Sequence, residues 1–137
     1  MKRKDYPLAE TAPHSVKGQR GKAYSEITLD AMLKGDITME DLRITPDALR
    51  AQAGISRDVN RPTLARNFER AAELVAVPQE FIMQVYELLR PGRAKSKDDL
   101  LTAAKTMRET YKAADIAAFI EEAAQAYEER GLFIKRF

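Results

Sequence analysis

From Thr28 onward the chain is divided by helix start and stop signals, and no stretch alternates apolar and polar residues long enough to build a half-buried strand. That pattern confines the fold to packed helices. Thr28 is placed to cap a short helix, Leu29 to Lys34, which Gly35 ends. Thr38 and Asp41 have the spacing of a capping box that opens one more turn. Thr45-Pro46-Asp47 supplies a capping hydroxyl, a proline at the first helical position and an acid in the first turn, which predicts a helix to about Val59. Gly54 inside that helix weakens it by roughly 1 kcal/mol relative to alanine, and marks either a close helix contact or a weak point.

Pro62 opens the clearest helix. Leu64, Phe68, Ala71, Ala72 and Val75 recur at helical spacing and form one apolar stripe. Pro78 starts the next helix after a very short link, with Phe81, Ile82, Val85, Leu88 and Leu89 as its stripe, and Arg90-Pro91-Gly92 stops it. So tight a link predicts a hairpin or a sharp corner. Ser96, with Asp99 three residues on, caps a helix carrying Leu100, Ala104, Met107 and Tyr111. A further stripe, Ile116, Phe119, Ile120, Ala123 and Tyr127, lies about 140° out of phase with it at 100° per residue. The end of the chain is therefore two helices broken near Ala113–Asp115 or one long kinked helix, closed by Gly131 and an apolar-basic tail, Leu132 to Phe137.

The expected fold is all-α: a single small domain of about five to seven helices over residues 27–137, preceded by an extended arm over residues 1–26. The arm lacks periodicity and holds Pro7, Pro13, Gly18 and Gly21, while Tyr6, Leu8, Val16 and Tyr24 give it apolar anchors for docking on a surface. A length of 137 residues suits one compact domain. With 7% aromatic residues and no Trp, the core is built from aliphatic residues, Ala and Met. Such a core is modest, which favours support from a partner.

Charge and composition narrow the functional classes. There is no Cys, hence no disulfide, thiolate nucleophile or cysteine metal site. The basic start, Met1-Lys2-Arg3-Lys4, runs into Asp5-Tyr6-Pro7 instead of the apolar stretch of a signal peptide, so a cytoplasmic location is expected. No apolar run is long enough to span a membrane. Residues 1–22 carry six Lys or Arg against two Asp or Glu, a basic arm suited to an acidic surface or a solvated terminus. The best helices are close to neutral and none is a recognition helix rich in Arg, Asn and Gln, so nucleic acid is not an expected partner.

Catalytic constellations are missing as well. The one histidine, His14, stands in the arm without a second ligand nearby in sequence. No zinc-protease, phosphate-loop, dinucleotide or redox motif occurs. The carboxylate pairs Asp98-Asp99, Glu121-Glu122 and Glu128-Glu129 are adjacent, so on a helix they diverge. Arg66 and Arg70 share a helix face, as an exposed face, a partner contact or an anion site. No catalytic, cofactor-binding or metal-binding residue is expected in this chain, which reads as an interaction protein.

Longer runs carry a resemblance. Asp5-Tyr6-Pro7-Leu8-Ala9, Ile27-Thr28-Leu29, Arg43-Ile44-Thr45-Pro46, the run Leu64 to Leu74 (LARNFERAAEL), Val77-Pro78 and Tyr86-Glu87-Leu88-Leu89-Arg90-Pro91 with Arg93 occur in the order seen in one family. The chain resembles the small subunits of adenosylcobalamin-dependent diol and glycerol dehydratases from residue 5 to about residue 130. The resemblance implies an enzyme of three kinds of chain, two copies of each, that converts 1,2-diols or glycerol to aldehydes with loss of water. It further implies that adenosylcobalamin is held by the large and medium subunits, and that the small subunit supports assembly without catalytic groups. The interface it suggests comprises Asp5, Tyr6, Pro7, Leu8, Arg66, Asn67, Phe68, Arg70, Arg90 and Pro91. Family members also occur in bacterial microcompartments. Only four residues precede Asp5 where diol dehydratase small subunits commonly carry a longer extension, so packaging through this chain is the weaker expectation. The competing class is a stand-alone helical adaptor or regulatory protein.

Overall fold

The computed structural model describes residues 1–133; the last four residues of the expected apolar-basic tail lie outside the described residues. The protein is all-α, and among the described residues it has no strand beyond a single antiparallel bridge between Lys17 and Ala23. It divides into two compact units, Met1–Val75 and Ala76–Phe137.

In the first unit, residues 1–26 are punctuated by single turns: 3-10 turns at Arg3–Asp5, Pro13–Ser15 and Tyr24–Glu26, and the short helix α1 (Leu8–Thr11). Then follow α2 (Leu29–Leu33), α3 (Met39–Leu42), α4 (Pro46–Asp58) and α5 (Pro62–Leu74). The start signals act as their chemistry requires. Thr28 Oγ1 accepts from the Ala31 N–H and Thr45 Oγ1 from the Ala48 N–H, each at 3.2 Å. The Asp41 carboxylate accepts from the Thr38 N–H at 2.9 Å.

Helices α4 and α5 pack against each other. Leu49, Ala53, Ile55 and Ser56 of α4 are buried, and from α5 so are Ala65 and Ala72, seven residues apart. The stripe expected on α5 is thus rotated: Leu64 is 39% exposed and Phe68 half-buried. Alanines on the seam let two helices approach closely, and their small side chains carry little weight in a count of large apolar residues. The Arg57 guanidinium pairs with the Glu69 carboxylate across the two helices, with Nη2 to Oε2 at 2.7 Å. Gly54 marks a close contact, though not with a helix: a Cβ there would stand 3.0 Å from the Met1 carbonyl oxygen.

The second unit holds α6 (Gln79–Leu89), α7 (Lys97–Glu109) and α8 (Ala114–Glu129). The C-terminal stripes belong to two helices. The chain turns between them through Lys112, whose φ is +57°, and this reversal absorbs the phase shift read in the sequence. Leu100, Ala104, Met107 and Ile120 are essentially inaccessible and form the centre of the unit with Ile116, Ala117 and Ala124. Asp99 accepts from the Lys95 and Ser96 N–H groups at 2.9 and 3.1 Å, completing the cap of α7. Helix α6 contributes Val85 to the core and a ring contact from Phe81 to Tyr111, 5.5 Å between centroids. The Tyr127 hydroxyl donates to the carbonyl of Leu89, the last residue of α6.

Candidate partner interface

The Asp5–Leu8 run is held by its own turn. Asp5 Oδ2 accepts from the Lys2 N–H at 2.8 Å, and the Asp5 carbonyl accepts from the Thr11 hydroxyl at 2.5 Å. The Arg3 N–H donates to Asp58 Oδ2 at 2.9 Å, tying the turn to the end of α4. The Tyr6–Pro7 peptide is cis. Pro7 and Leu8 are half-buried, whereas Tyr6 is 60% exposed and offers its ring to solvent. On α5, Arg66 and Asn67 are exposed while Phe68 and Arg70 are half-buried, and Arg66 makes no ion pair among the described residues. Arg90 is exposed, bonded to Glu87 of its own helix at 3.0 Å, and Pro91 beside it is exposed. The first two groups belong to the first unit, and Arg90 with Pro91 to the second.

Two features escaped the reading of the sequence. The first is a polar clamp. The loop Lys17–Ala23 closes through the Gly18 N–H to the Lys22 carbonyl at 2.9 Å and lies on α3. From it Arg20 grips the buried Asp41 through the Nε–Nη2 edge of its guanidinium, Nε to Oδ1 at 2.9 Å and Nη2 to Oδ2, and Nη2 also reaches the Asp36 carbonyl at 3.0 Å. Gln19 donates to the Ile44 carbonyl at 2.9 Å. The bond from Arg20, aided by the Thr38 N–H, pulls the Asp41 carboxyl down to about 2. Nothing local in sequence announces a partner twenty-one residues away; a capping-box acid is ordinarily read as serving its own helix.

The second feature is an apolar face on the short helices. Leu29, Leu33 and Met39 are 71%, 78% and 74% exposed, and Met32, Leu42 and Ile44 are exposed beside them. Their spacing on α2 and α3 is that of a stripe, but a stripe does not say whether the chain itself covers it. Within residues 29–44 only Ile37 and Asp41 are buried. On the second unit a groove along α6 is lined by Met83 and Leu88 among Gln79, Glu80, Gln84, Glu87 and Arg93.

Among the described residues no three His, Cys, Asp or Glu side chains gather into a metal site, and no helix is long and apolar enough to cross a membrane. The paired carboxylates serve structure instead: Glu121 is held below its ordinary range by the Arg108 guanidinium, and Glu128 bonds Lys97 at 2.5 Å. What the surface can do chemically is bind: apolar area, an exposed aromatic ring and guanidinium groups.

The whole described chain has relatives. The family model for the dehydratase small subunit matches residues 1–134. The propanediol dehydratase small subunit of Citrobacter freundii is 47% identical over 126 residues, which is 92% of this chain and 73% of that one. That of Salmonella typhimurium is also 47% identical over 126 residues, covering 92% of this chain and 72% of its own length.

Proposed function

This chain belongs to the dehydratase small-subunit family, and on that premise we propose that its work is assembly. It acts as the small, non-catalytic subunit of a propanediol or glycerol dehydratase, joined to a large and a medium subunit, two copies of each. The observation that carries this reading is a match running nearly end to end, with 47% identity over 92% of the chain. The resemblance to adenosylcobalamin-dependent enzymes brings a coenzyme with it, which we assign, with the radical chemistry it supplies, to the large and medium subunits.

The interface we propose includes the turn Asp5–Leu8, with the Tyr6 ring outermost, the α5 residues Arg66, Asn67, Phe68 and Arg70, and the corner Arg90–Pro91. Arginines shielded from water on binding form strong charge-assisted bonds to carboxylates. A cytoplasmic site of action fits a helical chain with no membrane-crossing helix among the described residues; a bacterial microcompartment is the other location that the family suggests.

Co-expression with large and medium dehydratase chains tests the reading. The tagged small chain should carry both larger chains through purification, and by itself should show no diol dehydratase activity. A monodisperse monomer that ignores both larger chains would place it instead among free-standing helical adaptors.

A further inference from the structure

We infer that residues 17–44 form one opening unit latched by Arg20, which unfastens as a piece while α4 and α5 stay folded. Within residues 27–44 only Ile37 and Asp41 are buried, and one of those is a carboxylate. Neither α2 nor α3 packs broadly on another helix, whereas α4 and α5 lie along each other. Apolar burial is the chief source of cohesion in a fold, and this segment draws little of it. Helices of five and four residues are also too short to persist on their own hydrogen bonds. Polar contacts must therefore hold the segment closed.

Those contacts converge on one side chain. Arg20 Nε donates to Asp41 Oδ1 at 2.9 Å, while Nη2 reaches both Asp41 Oδ2 and the Asp36 carbonyl, the latter at 3.0 Å. Asp36 stands in the turn that ends α2, where its own N–H and that of Ile37 donate to the Ala31 carbonyl at 2.9 and 3.3 Å. Asp41 belongs to α3, and its carboxylate also accepts from the Thr38 N–H at 2.9 Å. One guanidinium thus joins the end of α2 to α3. Beside it Gln19 fastens the Ile44 carbonyl, just before α4 begins, at 2.9 Å. The turn that presents both side chains is formed by its own backbone, through the Gly21 N–H to the Gly18 carbonyl at 2.9 Å.

A node shared in this way makes opening all-or-none. The Asp41 side chain is fully inaccessible, and a buried carboxylate that loses its partner is strongly unfavourable until water reaches it. A half-released clamp is therefore the least stable arrangement, and the segment is either shut or open along its length. Local openings are drawn from regions poor in buried apolar contact, which α2 and α3 are and the seam between α4 and α5 is not.

Hydrogen exchange of the native chain tests the latch, with opening constants read residue by residue by NMR. The amides of Met32, Asp36, Ile37, Thr38 and Asp41 should share one opening constant, about tenfold or more above that of Ala53 in α4 and Ala72 in α5. Arg20→Met should speed all of these amides outside α4 and α5 by one common factor of about tenfold or more, the scale of losing hydrogen bonds between charged groups. Arg20→Lys keeps the charge without the fork that spans both partners, and should fall between. Arg57→Met, which severs the pair between α4 and α5, should leave the same amides at parental rates. A response of Thr38 and Asp41 to Arg20→Met without Met32 and Ile37 overturns the inference, because the contact is then local. So does an opening constant shared with Ala53, or acceleration by Arg57→Met, since either means that the segment opens only with its whole unit. An Arg20→Met chain that does not fold overturns it as well, because α4 and α5 then depend on the clamp.

Discussion

Replacing Gly18 with alanine tests how closely the Lys17–Ala23 loop must approach α3. A Cβ at Gly18 would fall inside van der Waals contact with the Asp41 carbonyl oxygen, and would lie 3.1 and 3.2 Å from the Asp41 carbonyl carbon and Cα. Carbon pairs are comfortable at about 3.5–4.0 Å, so the loop must retreat by several tenths of an ångström, and the opposing atoms are backbone that cannot rotate aside. Overpacking of this kind costs about 1–3 kcal/mol. The narrower unfolded ensemble of alanine returns about 0.4–1 kcal/mol, so a net loss of roughly 1–2 kcal/mol remains. For a chain of this size that lowers the melting temperature by about 2–8 °C. Urea unfolding followed by circular dichroism measures the loss, and native-state hydrogen exchange locates it: the Thr38 and Asp41 amides should exchange faster, while those of α7 and α8 keep their protection. Gly21 is the control, with open space around it but a φ of +81°. Gly21→Ala should destabilise through backbone strain, and Gly21→Asn should recover part of the loss. A Gly18→Ala protein as stable as the parent, with α3 amides unchanged, would refute the claim that close approach secures the clamp.

The clamp also predicts a pH dependence. Asp41 titrates at about 2 in the folded chain against 3.8 ordinarily, so its contribution is complete above about pH 4 and is lost as pH falls toward 2. Asp41→Asn should therefore be less stable than the parent at neutral pH, with the gap closing between pH 4 and 2; a gap constant across that range would count against the ion pair. Leu100→Ala, at a fully buried position, should cost about 2–5 kcal/mol in calorimetry or urea unfolding. Thr45→Ala removes the oxygen that caps α4 and should cost about 1 kcal/mol, with a loss below 0.3 kcal/mol refuting the cap's role. Leu33→Ser, at a position 78% exposed, should change stability by no more than about 0.5 kcal/mol, and a larger loss would mean that the chain itself buries this side chain.

Local chemistry was readable from the chain. Thr28, Thr45 and Ser96 cap the helices expected of them, and α4 ends at Asp58, one residue before the expected Val59. Caps and prolines act within four residues, so their meaning does not depend on the rest of the fold. The family was legible too, because the runs at Asp5–Ala9, Leu64–Leu74 and Tyr86–Pro91 are long and ordered. Which face meets which could not be read there. Leu64 has the hydrophobicity of a core residue and is exposed, while Ala65 beside it is sealed. Packing decides this, since the seam between α4 and α5 rewards small side chains that permit close approach. The grip of Arg20 on Asp41 joins residues far apart in sequence, and it exists only once the loop has folded back over α3. The apolar face of α2 and α3 is the same lesson in reverse. Periodicity marks a surface that seeks cover, and only the tertiary structure shows that the described chain leaves this one bare, because its own helices spend their apolar faces on one another.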